Sequence, residues 1–186
     1  MIFNKSSKIA ALFCSTFLLG ACSDLPVSDY ANETPNFNPL RFFPGQTLAW
    51  GIVQNWQGKV VRRFEVDITG TVNDGELTLD EKFRYADGER SSREWKLKVD
   101  EGGNVSGNAD DIETPATGTI SGNAMRWRYS MNLPVDDTTY YVSFDDWLWQ
   151  LDAETLFNKA KIKKFGFTVA EVTIFMRKTQ DASRSN

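Results

Sequence analysis

The 186-residue sequence has no histidine and only two cysteines, Cys14 and Cys22. Without histidine there is no Ser-His or Cys-His pair, and the commonest general base and zinc ligand are both missing. Long apolar runs are missing too. Residues 9–19 are the most apolar stretch, and polar Ser23 and Asp24, then Pro26, follow close behind. That is short of the roughly 20 residues a bilayer-spanning helix needs. There is no basic excess: 21 Lys and Arg stand against 25 Asp and Glu, a balance that does not suit nucleic acid. The pairs Asp110-Asp111, Asp136-Asp137 and Asp145-Asp146 lack calcium-loop spacing and read as acidic turn residues. The glycines follow no phosphate-loop pattern. No metal, no cofactor and no enzyme activity are therefore expected.

The N-terminus carries its own signal. Met1–Lys8 holds two lysines and no acid, an apolar core follows, and Leu19-Gly20-Ala21-Cys22 comes directly after it. This order reads as a cleaved secretory signal over 1–21. Leu19–Cys22 resembles the lipobox of bacterial lipoproteins. The resemblance implies cleavage before Cys22, lipidation of its thiol and acylation of its amine. Two acyl chains already give a stable anchor. In this class an aspartate after the cysteine favours the inner membrane. Ser23 stands there instead, so the expected location is the periplasmic face of the outer membrane. Cleavage removes Cys14, and lipidation caps Cys22, leaving no thiol for a disulfide. With Lys5 and Lys8 gone, 19 basic residues face 25 acidic ones, a net charge of −6.

Residues 22–39 are polar, with three prolines and no apolar period, and read as a flexible tether. Extended, it would reach about 55 Å at roughly 3.4 Å per residue. Residues 40–178 amount to one all-β domain, and 179–186 to a disordered tail. The expected strands are 48–54, 59–71, 76–85, 90–99, 105–112, 116–121, 124–133, 138–148, 155–163 and 167–178. Asn73-Asp74-Gly75, Asp87-Gly88, Gly102-Gly103-Asn104 and Gly122-Asn123 supply turns between them. A short helix or bent corner over 146–157 is the alternative to the ninth strand. Evenly spaced strands with tight turns mean a single antiparallel, lipocalin-like β-barrel of about 8–10 strands, with a β-sandwich as the alternative. The aromatic load, 6 Trp, 5 Tyr and 13 Phe, suits a packed aromatic core or a lined cavity. Phe42-Phe43-Pro44-Gly45 reads as a barrel plug.

One hairpin describes the nearest thing to a site. A three-residue loop, Ala86-Asp87-Gly88, keeps odd positions opposite odd ones and puts Gly88 where a G1 bulge needs positive φ. Leu77 then faces Leu97, Leu79 faces Trp95, and Glu81 faces Arg93. A two-residue Asp74-Gly75 turn sets Ile68, Val66 and Phe64 against Glu81, Phe83 and Tyr85. The apolar inner face thus holds one ion pair. It is either a structural pair that fixes register, or Arg93 receives a ligand carboxylate or phosphate while Glu81 holds it in place. Tyr85, Trp95, Trp127 and Tyr129 share that face as candidate ligand-lining residues.

Several motifs carry a resemblance over about Phe37 to Lys178: Phe42-Phe43-Pro44-Gly45, Ala49-Trp50-Gly51, Leu79-x-Glu81-x-Phe83-x-Tyr85-x-Asp87-Gly88, Arg93-x-Trp95, Trp127-x-Tyr129, Asp145-Asp146-Trp147 and Phe165-Gly166. They resemble a family of uncharacterised proteobacterial lipoproteins. The resemblance implies a lipocalin-like domain and, because some members are encoded near fatty-acid-modifying enzymes, points toward lipids. It supplies no catalytic residues. The function expected is a membrane-anchored envelope lipoprotein binding or carrying a small amphipathic, acyl-type ligand. The alternative is a filled barrel that displays a partner surface.

Overall fold

The computed structural model describes residues 24–135 and 137–179. Residues 1–21, Cys22 and the tail from 180 on, where the signal, lipidation and C-terminal expectations fall, lie outside them. Ten antiparallel strands form a closed meander barrel: β1 (Gly45–Asn55), β2 (Val60–Asn73), β3 (Glu76–Tyr85), β4 (Arg90–Val99), β5 (Asn104–Asn108), β6 (Ile112–Ser121), β7 (Ala124–Val135), β8 (Thr138–Gln150), β9 (Thr155–Lys164) and β10 (Phe167–Lys178). Each strand pairs with the next, and β10 returns to β1. The barrel is the lipocalin-like one expected, and the sandwich is excluded. Closure leaves no unpaired sheet edge and the core is internal, so residues 24–179 are a self-sufficient folding unit.

The hairpin registers follow the turn residues. Asp74 and Gly75 both take positive φ, as a type I′ turn requires, and Ile68, Val66 and Phe64 pair with Glu81, Phe83 and Tyr85. Gly88 has φ 94°, and Leu77, Leu79 and Glu81 pair with Leu97, Trp95 and Arg93. Strand alternation then sends one residue in two inward.

The expected strand 105–112 stops at Asn108, and 109–111 form the turn into β6. Residues 146–157 follow the strand reading and not the helix or corner: β8 runs on to Gln150 and β9 starts at Thr155. Polarity is inverted there. Asp146 and Gln150 are buried in phase with inward Phe144 and Leu148, while Trp147 and Trp149 stack outside with ring centroids 5.5 Å apart. Residues 24–39, expected as a tether, are laid along the barrel. A 3₁₀ turn at Val27–Tyr30 brings Tyr30 against Trp147 and Trp149 at 5.8 and 6.3 Å. Asp24 accepts hydrogen bonds from Arg126 and Arg128 at 2.6 and 2.7 Å. The outward tryptophans need a cover, and this segment supplies it.

The two barrel ends are unlike. At the end where β1 starts, the short helix α1 (Pro39–Phe42), capped by the Asn38 side chain accepting from Leu40 N at 2.9 Å, forms the expected plug. Phe37, Phe42 and Phe43 are buried and meet edge to face. Lys178 Nζ donates to the carbonyls of Phe42 and Pro44 at 2.6 and 2.7 Å. A Cβ at Gly70 would lie 2.2 Å from the Phe43 carbonyl oxygen, so the plug sits at that strand only because residue 70 has none. The opposite end, with the β1–β2, β3–β4, β5–β6, β7–β8 and β9–β10 turns, carries no such plug among the described residues.

Candidate functional site

Inside the barrel, burial divides along the axis. Toward the plug, Leu77, Leu97, Val105, Met125 and Leu156 are fully enclosed. Midway, Trp95 meets Trp127 at 4.7 Å and Tyr129 at 5.2 Å, and Tyr129 stacks on Phe144 at 4.8 Å with the rings 5° from parallel. Three of the expected ligand-lining residues, Trp95, Trp127 and Tyr129, are therefore a packed floor. Above it, inward Glu81, Phe83, Tyr85, Arg93, Leu133, Tyr140 and Val172 are only half-buried, although they face the interior. They ring the upper, unplugged half of the barrel, its cup. Tyr85 lies high in it, stacked on Phe83 and under the Arg62 guanidinium at 3.5 Å.

The expected Glu81–Arg93 ion pair is corrected. The two residues are cross-strand neighbours, but among the described residues no hydrogen bond or salt bridge joins them. Arg93 instead donates from Nε and Nη2 to Asp111 Oδ2 at 2.9 and 2.6 Å, and lies 3.7 Å from Met131 Sδ. Asp111 sits in the β5–β6 turn, so the rim reaches down and takes the guanidinium. Burial works against the Arg93 charge, and Tyr129, Glu81 and Asp111 outweigh it, holding the pKa above its ordinary value.

Without a direct partner, Glu81 pays for its position. Burial pushes its pKa up to about 7, against the pull of Arg93, and the Asp146 charge raises it further. Glu81 thus combines a desolvated carboxyl with a side chain that is only half-buried. Asp146, read from sequence as a turn residue, is a second inward acid. It accepts from Asn158 Nδ2 at 2.6 Å. Burial nevertheless raises its pKa to about 6, opposed by Asn158, Trp127 and Arg93. Trp127 pairs with Asp146 across β7 and β8, yet its buried Nε1 has no partner at regular hydrogen-bond geometry. Burial raises the Tyr129 hydroxyl pKa as well.

Asp146, Asn158 and Asp111 escaped the sequence reading. Asp146 was findable: it is in phase with Phe144 and Leu148 on a strand already assigned. Its neighbour Asp145 points outward, accepting from Arg126 and Lys163 at 2.7 and 2.9 Å. Burial would raise its pKa, but those two cations hold it well below the usual carboxylate range. No group of three or more potential metal-ligating side chains occurs among the described residues.

The rim is apolar on one side. Phe165 is 90% exposed, Phe167 76% and Trp56 75%, with Val60 and Val61 beside them. All belong to the adjacent β1–β2 and β9–β10 hairpins, whose strands bulge at Val53/Gln54 and Thr168/Ala170. Lys59, Arg63 and Lys164 accompany them. Lys164 Nζ lies 3.9 Å from the Tyr140 ring centroid. The other side of the rim is acidic, with Asp87, Glu89, Asp110, Asp111 and Glu113.

A family model described as "Protein of unknown function (DUF3833)" matches residues 16–178. No curated protein matches the chain. Among solved structures, the S-type phycobiliprotein lyase CPES from Guillardia theta is similar at 10% identity, TM-score 0.54, over 74% of this chain and 89% of that one. Rv2717c from M. tuberculosis is similar at 16% identity, TM-score 0.57, over 80% and 100%. A protein of the DUF3598 family from Nostoc punctiforme is similar at 12% identity, TM-score 0.59, over 84% of this chain and about half, 53%, of that one. At these identities the likeness shows the fold alone. It still overturns the expectation that the chain is not an enzyme: a barrel of this shape serves a lyase. The missing histidine therefore gives no ground for excluding catalysis, and half-buried Glu81 with buried Tyr129 and Asp146 are groups able to carry a proton.

Proposed function

Because the chain belongs to the DUF3833 family, described as of unknown function, we propose a function from its own geometry: a barrel that binds a small amphipathic ligand in its unplugged half. The observation that carries this is the axial gradient of burial. The plug and the aromatic floor close one half, while inward Phe83, Tyr85, Glu81 and Arg93 stay half-buried in the other. Apolar walls with a few convergent polar groups are the usual make-up of a small-molecule site. The ligand's body is acyl-type. In support, the lip formed by Trp56, Phe165 and Phe167 beside Lys59, Arg63 and Lys164 has the aromatic and cationic composition that favours a bilayer interface.

The same reading takes Cys22 as a lipidated anchor and the outer membrane, on its periplasmic face, as the location. Asp24 is clamped to the outer wall by Arg126 and Arg128. An anchor two residues away would leave about 7 Å of slack at roughly 3.4 Å per residue, holding the barrel close to the membrane. A second reading, that the lip docks a protein partner and the barrel carries nothing, is favoured only by the packed floor.

Titration of the chain lacking residues 1–22 with the neutral apolar fluorophore N-phenyl-1-naphthylamine tests the cup. Saturable enhancement is expected, and Val172→Trp, which fills the upper barrel, should abolish it while the melting temperature holds. Equal binding by the variant would place the fluorophore elsewhere and refute the cup.

A further inference from the structure

We infer that the cup selects a ligand whose polar end donates hydrogen bonds or carries positive charge, of which a primary amine on an apolar body is the simplest member, and that it disfavours a carboxylate. The inference rests on the cup proposed above and concerns the polar end of what fills it.

The geometry argues it from four groups. Arg93 is the one inward cation near the floor, and two of its donors already converge on one oxygen of Asp111. The Arg93 side chain is 22% exposed and that of Asp111, at the rim, 42%. An incoming carboxylate would have to displace Asp111 or share the guanidinium with it. It would also come to rest beside Glu81, Arg93's direct cross-strand neighbour, at a side-chain separation of about 5 Å. Two carboxylates so close in a low-dielectric interior repel, and one of them must bind a proton.

Glu81, by contrast, offers what a donor needs. It faces inward between Ile68 and Arg93, keeps accessible surface, and has no hydrogen bond among the described residues. Asp146 contributes a second acceptor: one of its oxygens takes the Asn158 amide. Trp127, the cross-strand neighbour of Asp146, turns its Nε1 donor to that carboxylate and helps keep it charged. Two further cations stand higher, at the mouth: Arg62 over Tyr85, paired with Asp87 and Glu89, and Lys164 over Tyr140. Beside the floor, once Asp111 has neutralised Arg93, the charge is that of Glu81 and Asp146. Lys178 is spent at the plug, on the Phe42 and Pro44 carbonyls. Buried acceptors left unsatisfied also discriminate strongly against a ligand that cannot pair with them.

Competition decides it. With N-phenyl-1-naphthylamine bound to the chain lacking residues 1–22 at pH 8, octylamine, octanol and octanoate are each titrated to half-displacement. Octylamine should act at a concentration at least ten-fold below that of octanoate, with octanol between them. Glu81→Gln should bring amine and carboxylate within about three-fold while octanol is unchanged. Octanoate displacing as well as octylamine from the wild type, or an unaltered ratio in Glu81→Gln, would overturn the inference and leave the cup standing. If none of the three displaces the fluorophore, or the fluorophore does not bind, the cup falls and the inference with it. Should Glu81→Gln fold poorly, Glu81→Asp, which retracts the carboxylate, must weaken octylamine more than octanol.

Discussion

Replacing Glu81 with glutamine removes a charge from the barrel interior and keeps the side chain's shape. In the folded chain burial lifts the Glu81 pKa from its ordinary 4.5 to about 7. Between those values the folded state holds a proton that the unfolded chain has released. Stability therefore falls as pH rises through that window: the full value is present below about pH 4.5 and the loss is complete above about pH 7. At roughly 1.36 kcal/mol per pH unit the whole window amounts to about 3 kcal/mol. Water reaching the half-buried carboxyl lowers the figure, and about 2 kcal/mol is the amount to test. Glu81→Gln does not titrate, so at pH 5 it should match the wild type and at pH 8 exceed it by about 2 kcal/mol, or roughly 4–8 °C in melting temperature for a domain of this size. Asp146, whose pKa is raised to about 6, adds a slope of its own below Glu81's, so the difference between the proteins is the quantity to follow. Urea titrations at pH 5, 6, 7 and 8 supply it. A constant difference across the four, or a variant less stable at pH 8, would show that Glu81 is not held charged in a desolvated place.

Asp145→Asn should cost about 3 kcal/mol at pH 7 by denaturant unfolding, because it strips a buried partner from Arg126. That gap should narrow only as pH falls below the ordinary carboxylate range, where the wild-type Asp145 is itself protonated. Gly70→Ala should destabilise by about 2 kcal/mol, its methyl meeting the Phe43 carbonyl; a thermal melt checks it, and an unchanged melt would mean the plug is not seated against β2. Phe165→Ser with Phe167→Ser should weaken sedimentation of the chain lacking residues 1–22 with phosphatidylglycerol vesicles about ten-fold without lowering its melting temperature. Cys22→Ala should release the full chain from carbonate-washed membranes or leave an unprocessed precursor, and wild-type fractionation at wild-type mass would sink the anchor.

Where parity and turn chemistry agree, the sequence was enough. Asp74-Gly75 and Ala86-Asp87-Gly88 admit one register each, so the facing of Glu81 and Arg93 could be read directly. What could not be read is which partner a long side chain chooses. Arg93 has a neighbour at strand distance and another dropping from a turn 18 residues on, and the flexible guanidinium reaches the second. Around Asp146 the sequence misleads for a different reason. Inward polar and outward aromatic residues reverse the usual pattern, and the reversal makes sense only once Tyr30 is seen covering Trp147 and Trp149. The same contact explains the packing of residues 24–39: their composition is that of a free linker, yet one tyrosine, one aspartate and Phe37 suffice to fasten them. The floor was legible as an aromatic load. That inward side chains are enclosed below it and half-buried above it depends on the third dimension.

Native mass spectrometry of the full-length protein, extracted in mild detergent, tests the ligand-holding barrel most directly. The account predicts a peak above the protein's own mass by that of one small amphipathic molecule. Collisional activation should eject it, and Val172→Trp, prepared alike, should lack it. Wild type and variant both carrying no adduct, or the same adduct in both, would contradict the claim that the unplugged half of this barrel is a binding cup.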